Sequence, residues 1–280
     1  MTLVDLRSPN RLSALKNQGS RKVASMPAEF RSLEESRMYL ELLVRRLPHL
    51  MASINAESES LNFLKLDTIR YIPKWYTEER DRYLAEHEKW HEAFTLFLSR
   101  TQPSKTNSLG AKALKLQYLS SYFAAAGIRT SEEPWSDTRR FMPMLREIIS
   151  LVKQILRDPR TEREEGMFSI AMKVICPLFG VAWRCPHRAL QKEAIGLLLS
   201  SRRREGLWDS IFAGRLTQWI MELEDENSLD VEGEYVPDCV RSAGFDILTF
   251  DAQTRRMRVR CLLPEWNFLE WKIRETVITW

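Results

Sequence analysis

Four histidines and four cysteines are the residues of this chain most able to bind a metal or transfer a proton. The sharpest arrangement is His87-Glu88-Lys89-Trp90-His91, an HExxH pattern. On a helix its histidines lie four residues apart on one face and can both ligate zinc, leaving the glutamate as general base on a bound water. Such a site needs a third ligand. Phe94 stands where the HxxGxxH extension has its glycine, and the one later histidine, His187, follows a proline. Trp90, Phe94 and Phe97 continue the stripe as a packing face, so the motif reads as a half-buried helix surface, with no metal ligand assigned. A second arrangement, Cys185-Pro186-His187 with Cys176 upstream, offers three soft ligands and no clear fourth. It too is given no metal. GxGxxG, GxxxxGK[ST] and GxSxG are absent from the sequence. No catalytic or cofactor-binding residue is therefore assigned, no cofactor is implied, and the chain is expected not to be an enzyme. Arg202-Arg203-Arg204 reads as a solvated loop between helices, the alternative being a nuclear-import or phosphate-binding cluster.

The elements that position these residues are mostly helices. Ser32 with Glu35 forms a capping box ahead of Met38, Leu40, Leu43, Val44, Leu47 and Met51. A second helix from about Thr77 carries Tyr83, His87, Trp90, Phe94 and Phe97. A polar link, Thr101 to Gly110, leads to a third helix, Ala111 to Ala126, closed by Gly127. A fourth follows Asp137, with Pro143 in its first turn, where a proline needs no amide acceptor. An apolar helix, 168–183, is interrupted by Lys173 and Pro177 and is too short to span a bilayer. A sixth helix opens near Pro186. A seventh is capped by Asp209 or Ser210 and carries Phe212, Leu216, Trp219, Ile220 and Leu223. Short connections make this an array of antiparallel helical hairpins.

Two segments depart from the helical pattern. Residues 1–30 hold five bases against Asp5 and Glu29, with no sustained period, and residues 1–31 read as a flexible basic arm. After Glu222 an acidic, mobile link is expected. Beyond it Phe245–Phe250 and Arg256–Leu262 form a β-hairpin that Lys272–Trp280 can complete as a small antiparallel sheet. The division is thus a basic arm over 1–31, a helical regulatory domain over 32–225, and an acidic linker with a small β-rich unit over 226–280.

Composition bounds the rest. Apolar residues make up 44% and charged residues 29%, which suits a packed globular chain rather than a disordered one. Lys plus Arg total 42 against 38 for Asp plus Glu, so a net charge of +4 supplies no strong field for nucleic acid. The four cysteines, 176, 185, 239 and 261, lack CxxC spacing and follow no secretory signal, so they read as reduced intracellular thiols.

The run Phe168 to Ser210 resembles the C-terminal half of fungal binuclear-zinc-cluster transcription factors. The matching features are Pro177 in an apolar helix, Cys185 in the following turn, Ala194-Ile195-Gly196-Leu197-Leu198, and Arg203-Arg204-Glu205-Gly206-Leu207-Trp208-Asp209-Ser210. Trp219-Ile220-Met221-Glu222, Val236-Pro237, Arg255 to Cys261 and Val277 to Trp280 are also similar, and Trp90, Ala93, Phe94, Phe97 and Leu98 resemble that family's second helix. The resemblance covers roughly residues 33–280. It implies a nuclear regulator of a filamentous fungus, of the kind that accompanies secondary-metabolite gene clusters. Its zinc head needs six closely spaced cysteines, and this sequence has four. Two explanations remain, a relative without that head or a coding sequence that lost its 5′ part. The expected partners are proteins, either a full-length relative or the transcription machinery, with a small effector as a further ligand. Direct sequence-specific DNA binding and membrane insertion are not expected. The expected location is the nucleus by resemblance and otherwise the cytoplasm, not outside the cell. The competing function is a biosynthetic-pathway protein or enzyme on the same scaffold, using the HExxH at 87–91.

Overall fold

The computed structural model describes residues 19–47, 74–101, 105–127, 138–159, 173–206, 208–227, 234–237, 240–242, 244–251, 253–264 and 271–280. It is mainly helical, with a small C-terminal antiparallel sheet, as the sequence predicts. The helices are α1 (Leu33–Val44), α2 (Lys74–Arg100), α3 (Lys105–Ala126), α4 (Met142–Leu156), α5 (Ile175–Arg184), α6 (Arg188–Ser201) and α7 (Ser210–Asn227). A 3-10 turn, Thr138–Phe141, leads into α4. Two-residue strands β1 (Arg204–Glu205) and β2 (Trp208–Asp209) form a tight hairpin between α6 and α7. Strands β3 (Gly244–Asp251), β4 (Arg256–Pro264) and β5 (Trp271–Thr279) form the antiparallel sheet in sequence order.

Local signals set several boundaries where the sequence places them. The Ser32 hydroxyl accepts from the Glu35 amide at 3.1 Å, and the Glu35 carboxylate reaches back to the Arg31 amide at 2.7 Å. Both bonds satisfy donors that a helix start leaves open. Pro143 sits in the first turn of α4. Asp209, rather than Ser210, caps α7, accepting from the Ile211 and Phe212 amides at 2.9 and 3.1 Å. The β3–β4 turn is held by Asp251, which accepts from the amides of Gln253 and Thr254.

Packing moves other boundaries. Residues 1–18 of the expected arm lie outside the described residues. Residues 19–31 are not free: 19–24 are helical, and Val23, Met26 and Phe30 are buried against α1, where Phe30 stacks on Tyr39 at 5.8 Å. The polar stretch read as a link through Gly110 is helical from Lys105 onward. Gly110 is a contact point instead of a breaker: a Cβ there would stand 2.8 Å from Leu33 Cδ2, so the missing side chain lets α1 approach α3. The acidic link expected from Glu222 begins later, because α7 runs to Asn227. Ile220, Leu223 and Glu224 continue its buried face, and Glu224 is 1% exposed. Its carboxylate accepts from the Ser242 amide at 3.0 Å and faces Arg188 at 3.4 Å, so burial does not leave it unpaired. Residues 228–233 of that link lie outside the described residues.

At the centre lies α5. It touches α3, α4, α6, α7 and the β1–β2 hairpin. Ile175, Pro177, Leu178, Phe179, Val181 and Ala182 are all buried, which accounts for a run too apolar to be a surface helix. Residues 168–172 of the predicted apolar helix lie outside the described residues. No helix among the described residues is long and apolar enough to cross a membrane. The sheet packs one face on α7, placing Met257, Val259, Cys261, Leu263 and Ile278 in the same core as the helices.

Candidate functional site

The HExxH residues are placed on α2, facing α3. His87 is fully buried, and both ring nitrogens are engaged. Nδ1 lies 2.9 Å from the Tyr83 carbonyl and Nε2 lies 3.0 Å from the Ser121 hydroxyl. Because a carbonyl can only accept, Nδ1 carries the proton, and the one Ser121 hydroxyl hydrogen lies between His87 Nε2 and the Tyr118 carbonyl, each 3.0 Å from its oxygen. Burial pushes the His87 pKa down to about 4, with Arg46 acting in the same direction. His91 is half-buried and lies parallel to the Tyr118 ring at 4.7 Å. Glu88 accepts a 2.8 Å hydrogen bond from the Tyr122 hydroxyl of α3. The motif thus spells one side of the α2–α3 contact, with both ring nitrogens of His87 facing buried protein groups. Among the described residues, no group of three or more His, Cys, Asp or Glu side chains is arranged to hold an ion.

The cysteine–histidine arrangement is also separated by the fold. Cys176 lies in the first turn of α5 and Cys185 just beyond its last, nine positions apart, or about 13 Å along a helix. His187 caps α6: Nδ1 accepts from the Leu190 amide at 3.3 Å, and Nε2 donates to Glu234 at 2.6 Å. Cys176, Cys185 and Cys261 are free thiols, and burial pushes their pKa values up, to about 12 for Cys176 and Cys261 and about 11 for Cys185. None is primed as a nucleophile. Cys239 lies outside the described residues.

The Arg202–Arg204 run is divided by the chain's turn. Arg202 closes α6 in a left-handed conformation, φ +43°, and Arg204 is exposed. Arg203 is turned inward, its amide bound to the Ser210 hydroxyl at 3.0 Å and its guanidinium 3.9 Å from Glu205. Every described residue of the 203–210 junction has a structural task. Glu205 is the most informative. Its two carboxylate oxygens accept from the amides of Val174 and Ile175, each at 3.0 Å, and so cap α5 from 30 residues away. Gly206 makes the tight turn at φ +62°. Trp208 then packs 5.1 Å from Phe179.

This junction closes one side of a cavity of about 340 Å³. The cavity lies between α3 and α5. Gln117, Ser120, Ser121 and Ala124 supply one face, at the 3–4 residue spacing of a single helix side. Cys176, Pro177, Gly180 and Trp183 supply the other with the same spacing. Val44 and Leu47 cover the end nearest α1, while Lys173 and Arg184 stand at the rim. The cavity exists because the facing positions are small: Ser120, Ala124 and Gly180 leave space that larger side chains would fill. A Cβ at Gly180 would meet only Phe123, at an ordinary 3.9 Å. Trp183 is fixed at the border by a 3.0 Å hydrogen bond from its indole to Ser242. The buried His87–Ser121 bond lies directly behind the α3 wall.

The metal-ligating and nucleophilic motifs of the sequence do not mark this cavity. The available signal was a pair of helices with small residues recurring at 3–4 spacing on faces otherwise rich in aromatics. No protein-family model, curated protein or solved structure matches the chain.

Proposed function

We propose that this chain is a transcription-factor-like regulatory protein, acting through protein partners and a small effector held between its helices rather than by chemistry on a substrate. The observation that carries this reading is the α3–α5 cavity, whose aromatic wall includes Trp208 of the 203–210 junction. That junction is the segment most similar to the regulatory half of fungal binuclear-zinc-cluster transcription factors. A mostly apolar cavity of about 340 Å³ falls within the usual range of small-molecule sites, about 300–1,000 Å³. Its described residues provide no nucleophile beside a base: the nearby histidine has both nitrogens bonded, and the lining thiol is held neutral by burial. Occupancy would be felt at the ends of α5, because Glu205 holds one and Trp183 borders the other. The resemblance also supports a nuclear location in a filamentous fungus, with a secondary-metabolite gene cluster as the proposed setting.

The test is a reporter assay in a fungal host, with the chain fused to a heterologous DNA-binding domain. Reporter output that changes with the fused chain, and changes again in Trp208→Ala, is expected. Output indistinguishable from the DNA-binding domain alone would overturn the regulatory reading. Duplex binding by the unfused chain is expected to be weak and indifferent to sequence in a gel-shift assay.

A further inference from the structure

The cavity beside α5 is selective in two respects, shape and charge. Its volume lies at the small end of ligand sites, so it accepts a compact molecule. Phe123, Phe179, Trp183 and Trp208 present ring faces and edges, surfaces that favour a flat, unsaturated partner. Among the described lining residues the charge is one-sided. Lys173 and Arg184 stand at the rim, and no Asp or Glu side chain is among the described lining residues. The Arg184 guanidinium lies 4.3 Å over the Trp183 ring, which keeps it at the cavity wall. Lys173 makes no ion pair within 4 Å among the described residues. The Glu205 carboxylate acts electrostatically on both Lys173 and Cys176, but its two oxygens are already bound to the Val174 and Ile175 amides. Deeper inside, the Gln117 and Ser120 side chains have no hydrogen-bond partner among the described residues and can donate to an acceptor.

We infer that the cavity binds a compact, flat ring compound bearing one acidic group, such as a carboxylate, a sulfonate or an ionised phenol. The rings insert between α3 and α5 against Phe179 and Trp208, and the acid meets Lys173 at the rim. This assigns a ligand class to the effector site on which the regulatory reading rests. Two dyes with one ring framework separate the elements of the claim: anilinonaphthalene sulfonate carries the acid, and N-phenylnaphthylamine lacks it.

Fluorescence titration of the full chain is expected to show both dyes saturating one shared site. The sulfonate should bind about tenfold more tightly, as suits one charge-assisted contact at a partly exposed rim. In Lys173→Gln the sulfonate should fall toward the affinity of the neutral dye, whose own binding is unchanged. In Gly180→Leu, which fills the cavity from its α5 side, both should be lost. Equal affinities for the two dyes, or a sulfonate indifferent to Lys173→Gln, would overturn the acidic-ligand assignment. Undiminished binding in a Gly180→Leu protein of normal helicity and melting temperature would overturn the site itself. Should Gly180→Leu fail to fold, Ser120→Phe, which fills the cavity from the partly exposed α3 side, decides instead. Loss of both dyes is expected, and undiminished binding in a folded Ser120→Phe overturns the site. A silent reporter fusion beside positive dye titrations would remove the regulatory reading and leave the binding site standing.

Discussion

His87 is neutral in the folded chain across the physiological range, and this gives the protein an acid-sensitive stability. Its folded pKa, about 4, lies below the ordinary value of 6.5, so the unfolded chain binds more protons between those limits. Stability from this residue is therefore fully present above pH 6.5, declines as pH falls, and is spent by about pH 4. The total is about 3 kcal/mol by linkage. Urea midpoints measured from pH 7 to pH 4 should fall for the wild type and fall less for His87→Gln. An identical pH dependence in the two proteins would show that other groups govern it. Glu205 acts at the same scale by a different means, since it supplies acceptors that the start of α5 lacks. Glu205→Ala should cost about 1–2 kcal/mol, the usual loss for a helix cap. Because the same β1–β2 hairpin carries Trp208 of the cavity wall, the variant should also weaken dye binding.

Among the elements, two glycines in successive helices should respond oppositely to the same change. Gly214 of α7 lies where a Cβ would come within 2.7 Å of Leu199 Cδ2 and 3.3 Å of Leu198 Cβ, so it sets the close approach of α7 to α6. Gly196 of α6 is exposed with nothing within 4 Å. Gly214→Ala should destabilise by about 1–3 kcal/mol through overpacking. Gly196→Ala should stabilise by about 0.5–1 kcal/mol by improving helix propensity. Thermal melts of the two variants should move in opposite directions. The same contrast explains what could be read before the fold was known. Ser32 with Glu35, and Asp209, act through bonds within a few residues, Pro143 through its missing donor, and the Arg256–Leu262 run through its period-two burial, so their elements are legible from sequence. Gly110 is misleading because its use is tertiary: it is small for Leu33's sake, not to break a helix. Glu224 reads as part of a solvated acidic run, although Arg188 and Ser242, distant in sequence, bury it. The cavity was illegible for the same reason. Small residues on α3 and on α5 make a space only once it is known that those faces meet.

At the level of the whole molecule, sheet and helices share one core, since Val259, Cys261 and Leu263 pack in the same cluster as Leu216 and Ile220. The β-rich unit is therefore an outer layer of the helical body. Leu263→Ala should destabilise by about 2–5 kcal/mol and lower the melting temperature of the helical circular-dichroism signal, in a single transition. A sheet that melts separately, leaving the helices intact, would show two independent units. The sheet's placement also has a consequence for the newly made chain. The flank of α7 is covered by β4 and by β5, and Arg215 of α7 bonds the Thr279 carbonyl. Between the last residue of α7, Asn227, and the end of β5, Thr279, the ribosome adds about fifty residues. At about 5–20 residues per second this takes several seconds. Throughout that interval a nascent helical stack carries an uncovered apolar side, which makes it a client for whatever cellular factors shield unfinished proteins.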